Sequence, residues 1–140
     1  MDREASAMTK PVRLQLSRRK GFDLQALSRA RNGLPALKVT RPHELSNPFR
    51  ITGPHKQMGS AKDGSIKPWW VETDSQVWMF ETKPEAQAAS VKLFRAWFKL
   101  PAQATLRERC VLILRRTNPA CFCAPEDPCH VDVLLEVVNQ

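Results

Sequence analysis

No stretch of the 140-residue sequence is apolar for long enough to span a membrane or to form the hydrophobic region of a secretory signal. The expectation is therefore a soluble, cytoplasmic protein with no membrane partner. No segment repeats along the chain, which excludes solenoid and propeller architectures. Without an export signal, the four cysteines are expected as thiols or metal ligands in a reducing compartment rather than as disulfides. Lys and Arg are missing altogether from residues 118–140, which hold Glu126, Asp127, Asp132 and Glu136. Taking those four acids from the net charge of +8 leaves +12 on the rest of the chain.

That excess is densest at Arg13, Arg18, Arg19, Lys20, Arg29, Arg31, Lys38 and Arg41, and it suggests a polyanion or phosphate-bearing partner, nucleic acid included. A solvated basic surface is the competing reading. The balance of 42% hydrophobic and 26% charged residues is that of a globular chain, and the length suits one domain. Residues 1–10 lack periodicity and read as a flexible lead-in to a domain over 11–140.

Val12, Leu14 and Leu16 alternate with polar neighbours as a strand does, and Ser17 to Gly21 follows as a basic exit loop. A short helical turn is expected within 22–36, ended by Gly33 and Pro35, before a second strand at Leu37–Val39. Arg41-Pro42 and Asn47-Pro48-Phe49 mark an ordered loop, and Thr52 to Pro68 an exposed insertion. Trp69, Trp70, Trp78 and Phe80 read as core cover, with a short strand at Val77–Phe80. Ala86, Ala89, Leu93, Phe94, Trp97 and Phe98 share one face of a helix from about Pro84 to Lys99. Residues 105–116 fit either a helix or a buried strand at Cys110–Leu114, with Cys110 as a buried small hydrophobe. A strand at Ala120–Cys123, a turn at Pro125–Pro128 and a terminal helix starting near Cys129 complete the chain.

Chemistry concentrates at Cys121, Cys123, Cys129 and His130, which place three of the four cysteines within ten residues. At the start of a helix the Cys129 sulfur meets unpaired amide hydrogens and the positive end of the dipole, both of which favour a thiolate, with His130 beside it for proton transfer or substrate binding. On a strand, Cys121 and Cys123 share a face and Phe122 points the opposite way into the core. The same four residues supply the donor types of a zinc site, although a one-residue spacer on an extended strand holds the two sulfurs further apart than the usual paired spacing does.

Several stretches together resemble a family known as domain of unknown function 4326: Pro11 to Gly21, Val39 with Arg41-Pro42, Asn47-Pro48-Phe49, Leu93 to Trp97, and Ala120 to Cys123 through Cys129 to Glu136. The chain departs from the family pattern at Ser46, where the family has Gly, and at Arg116-Thr117-Asn118-Pro119, where it has a Gly-containing turn. Its insertion at 52–68 is also longer. The ending is similar, more loosely, to a second uncharacterised group in which an acidic residue takes the place of Cys123. The resemblance implies an α/β fold and a bacterial or phage setting, and it implies no reaction.

The fold expected is a single small Rossmann-like α/β domain with a short, mostly parallel sheet and a C-terminal helix. One pocket is expected, with Cys129, His130, Cys121 and Cys123 at its reacting end and Arg18, Arg19, Lys20, Arg41, Asn47 and Asp132 binding substrate. The function expected is an enzyme or enzyme-like protein acting on a nucleotide or nucleic-acid component. The alternative is a zinc-stabilised nucleic-acid-binding or interaction module without catalysis, its metal on Cys121, Cys123, Cys129 and His130.

Overall fold

The computed structural model describes residues 9–56 and 66–140. Almost all of the expected lead-in and the middle of the insertion, 57–65, lie outside the described residues. Among these, four helices and two three-stranded sheets build a mixed α/β fold. The elements in chain order are β1 (Leu14–Gln15), α1 (Leu24–Asn32), β2 (Ala36–Lys38), β3 (Arg50–Thr52), β4 (Trp69–Glu72), β5 (Val77–Phe80), α2 (Lys83–Phe98), α3 (Ala104–Leu114), β6 (Asn118–Cys121) and α4 (His130–Val138). No helix among the described residues is long and apolar enough to cross a membrane.

The first sheet is wholly parallel in the order β1-β6-β2, so the last strand among the described residues lies between the first two. The second sheet is antiparallel, β3-β4-β5, which corrects the expectation of one mostly parallel sheet. Its cause is local. β4 and β5 are joined by a four-residue turn, closed by Thr73 accepting from the backbone N–H of Gln76, and so short a connection permits only antiparallel pairing. Gly53, at φ 134°, passes the β4 entry so closely that a Cβ there would stand 2.5 Å from the Pro68 carbonyl oxygen, which only glycine allows.

Residues 22–36 form more than a turn. Asp23 caps α1 by accepting from Ala26, and Gly33 at φ 81° ends it. α2 starts one residue before the expected Pro84, with Thr82 and Glu85 in a reciprocal capping box. Segment 105–116 is a helix, burying Cys110 and Leu114 one turn apart. The terminal strand lies two residues earlier than expected, and this shift governs the site.

Helices cover both faces of the parallel sheet. On one side Leu14, Leu16 and Ala120 form a small core with Phe22 and Leu24. On the other, Val39, Phe94, Phe98, Cys110, Leu114, Val131 and Leu134 form the main core, against which Trp69, Trp78 and Phe80 pack as expected. Trp70 instead stacks on His55 with ring centroids 3.7 Å apart. Between the sheet and α1 lies a buried polar knot. Asn118 Oδ1 accepts from Val12 N and Asn32 Nδ2, while its Nδ2 donates to Ser28 Oγ and Asn32 Oδ1. Ser28 donates in turn to the Leu34 carbonyl. Every polar atom of the Asn118 side chain is thus partnered, so its complete burial carries no unpaired-group penalty.

Candidate functional site

In a parallel sheet all strands point the same way, so the loops leaving them gather at one edge. Here β1 runs out into Arg18, β2 into Arg41, and the central β6 into Cys121, Phe122 and Cys123. All five line one cleft of about 390 Å³ together with Asn47, Cys129 and His130. Seven of the ten residues expected in one pocket line this cleft.

The other three sit elsewhere. Arg19 and Asp132 line a neighbouring groove of about 740 Å³ along the outer side of β1, and Lys20 is exposed in the turn that ends at Gly21. The larger groove shares Cys123 with the cleft, but its Arg13 and Asp132 are already paired with each other. Arg13 NH1 donates to both carboxylate oxygens of Asp132, at 3.0 and 3.3 Å, and NH2 donates to the carbonyls of Ala124 and Asp127. Asp132 is thus a latch partner for Arg13, outside the cleft it was expected to line. Arg13, read from the sequence only as part of a basic stretch, instead clasps the loop between Cys123 and Cys129.

Asn47 also differs from expectation. Its Oδ1 accepts from Phe49 N and its Nδ2 donates to Ser90 Oγ, which donates to the Phe49 carbonyl. The Asn-Pro-Phe turn is thereby pinned to α2, and Phe49 is inserted between Trp78 and Trp97. Asn47 shapes the cleft wall by building its own loop. Buried Ser90, its partner, carried no signal in the sequence.

β6 ends at Cys121, so Phe122 and Cys123 follow a bend rather than a pleat. Phe122 consequently turns outward, 39% exposed, with the Arg18 guanidinium 3.9 Å from its ring centroid. It does not enter the core. The same bend brings Cys121 Sγ and Cys123 Sγ to 3.6 Å, removing the wide separation an extended strand would impose. With Cys129 they form a group whose sulfurs all lie within 4.8 Å of one another, the set among the described residues able to hold a metal ion.

Cys129 is the N-cap of α4 and is 1% exposed, so it is no open helix-start thiolate. Its pKa is pushed up, first by the hydrogen bond with Cys121, then by that with Cys123 and by burial. Cys123 is pushed up to about 11, again chiefly by Cys121. Cys121 is the member pushed down, by hydrogen bonds from Cys123 and then Cys129. The first thiol of the cluster to ionise is therefore Cys121, since its two neighbours donate to the anion.

His130 is 5% exposed and edge-on to Phe94. Its Nε2 lies 3.2 Å from the Val39 carbonyl oxygen. A carbonyl only accepts, so Nε2 donates to it, and Nδ1 stands 3.8 Å from Cys129 Sγ. Arg41 donates to the Asn47 carbonyl, and its pKa is lowered first by partial burial and then by the like charge of Arg50.

Comparison with curated proteins and with solved structures returned no match. A family model described as Domain of unknown function (DUF4326) matches residues 24–140, from α1 to the end of α4, leaving Arg13 and Arg18 before the matched stretch. The cleft's cysteines, His130, Arg41 and Asn47 all fall within it, and the chain belongs to this family.

Proposed function

We propose that the protein is an enzyme, or an enzyme-like binding protein, that takes a nucleotide or nucleic-acid component into the cleft at the outgoing ends of β1, β6 and β2. The observation that carries this reading is the convergence of Arg18 and Arg41 on either side of the Cys/His cluster in one cleft. A volume near 390 Å³ suits a small ligand or one nucleotide unit of a longer chain. Arg18 over the exposed Phe122 ring offers a cationic stacking surface of the kind that receives a base. Arg41, crowded by Arg50 and partly desolvated, gains from an arriving anion. A parallel sheet with helices on both faces and its chemistry beyond the strand ends supports a Rossmann-like arrangement.

The test is binding of a labelled single-stranded oligonucleotide and of a nucleoside triphosphate across a salt series. Affinity should fall as salt rises, and Arg18→Glu with Arg41→Glu should abolish it while leaving the fold intact. Absence of binding to either probe at low salt overturns the proposal.

A further inference from the structure

We propose that Cys121, Cys123 and Cys129 together bind one zinc ion whose fourth coordination position faces the cleft. The proposal deepens the cleft reading above, in which that fourth position is where ligand meets metal.

Three observations converge. Zinc–sulfur bonds of about 2.3 Å set the sulfur–sulfur edges of a tetrahedral site at about 3.8 Å. Cys121 and Cys123 already stand 3.6 Å apart, and all three sulfurs lie within 4.8 Å of one another, so a closure of up to about 1 Å brings the set onto a metal. Second, the sulfurs come from three differently anchored positions: the end of β6, the bend after it, and the N-cap of α4. Their convergence is a property of the fold rather than of one flexible loop. Third, the donor set is all thiol, which selects zinc over the oxygen-seeking calcium and magnesium.

His130 takes an adjoining place. Its Nδ1 is 3.8 Å from Cys129 Sγ, yet it stands outside the group of three. With Nε2–H held by the Val39 carbonyl and the ring wedged against Phe94, Nδ1 is held facing the cluster. The imidazole thus stands beside the Cys129 sulfur, where a neighbouring group helps to hold a ligating thiolate in position. All four residues line the cleft, so the open position is reached from the ligand side.

Zinc is measured per chain in the full-length protein purified without chelator, and affinity is read by competition with a chromophoric chelator. One zinc per chain is expected, lost in Cys121→Ser, Cys123→Ser and Cys129→Ser and kept in Cys110→Ser. His130→Ala should keep the stoichiometry with affinity lower by about 10–100-fold. Because serine variants of a buried cluster can unfold, cobalt(II) titration of the unmutated chain supplies an independent readout. Thiolate-to-metal charge transfer with intense visible bands is the tetrahedral signature expected. Substoichiometric zinc, zinc retained in all three serine variants, a cobalt spectrum without thiolate bands, or a Cys121–Cys123 disulfide in the freshly purified protein would each overturn the proposal. Failure here is separable from failure of the cleft reading: zinc is assayed without ligand, and the Arg18 and Arg41 variants leave the sulfurs untouched.

Discussion

Replacing Arg13 tests whether the loop between Cys123 and Cys129 is clasped from β1. The guanidinium makes four hydrogen bonds, two to Asp132 and two to the carbonyls of Ala124 and Asp127, and its side chain is 14% exposed. Charge-assisted bonds are worth roughly 1.5–3 kcal/mol each when both groups are desolvated. Asp132, however, is 48% exposed and rehydrates once released, so the four together contribute nearer 3 kcal/mol. For a chain of 140 residues that corresponds to a fall of roughly 10 °C in Tm for Arg13→Ala. Arg13→Lys keeps the charge but not the fork that reaches two carbonyls and a carboxylate at once, so it should recover less than half. The local readout is amide exchange at Asp127, whose N–H bonds the Ala124 carbonyl inside the clasped loop and should exchange faster in both variants. A Tm loss below about 3 °C for Arg13→Ala, with Asp127 exchange unchanged, would refute the clasp.

Two further expectations concern buried groups. Asn118→Leu keeps the volume but takes the acceptor from the Val12 N–H and one partner each from Ser28 and Asn32, so it should cost about 2–3 kcal/mol by denaturant titration; a loss under about 1 kcal/mol contradicts the polar knot. Burial pushes the Cys110 thiol up to about 12 from its ordinary 9.0. The unfolded chain therefore releases this proton first as pH rises, and stability should decline between about 9 and 12 while the contribution is fully present below that window. Urea midpoints measured from pH 8 upward should fall more steeply for the unmutated chain than for Cys110→Ala, and equal slopes would contradict it.

What the sequence made legible was whatever repeats at short range. The apolar spacing of α2 and its Pro84 located that helix to within a residue. The period-two run through Leu14 and Leu16 located β1, and the loops after two strands announced Arg18 and Arg41. What stayed hidden was set by contacts distant in sequence. Asn118 and Pro119 have the composition of a loop, yet both belong to the central strand, because the Asn118 amide makes its lateral bonds to Val12 and Asn32. The strand that starts there ends at Cys121, and the turning-out of Phe122 and the approach of Cys123 to Cys121 both follow from that end. Arg13 and Asp132 are 119 residues apart, and nothing in either neighbourhood marks them as a pair. The position of β3 and β4 was masked by the Trp-rich, insertion-flanked composition around them.

The central place of β6 has a consequence for how the molecule is made. β1 and β2 have no partner in one another: among the described residues the only strand either pairs with is β6, and Leu14 pairs with Ala120 across most of the chain. A ribosome emitting this polypeptide can complete the antiparallel sheet and α2 from neighbouring residues, but the parallel sheet must wait until β6, far along the chain from β1, has been made and then close long loops. The cleft arrives in the same event, since its walls leave β1 and β2 and its floor leaves β6. No product that stops short of Cys129 can therefore display Arg18 and Arg41 across the thiols, and the capacity to take a ligand comes into being only once distant parts of the chain have met.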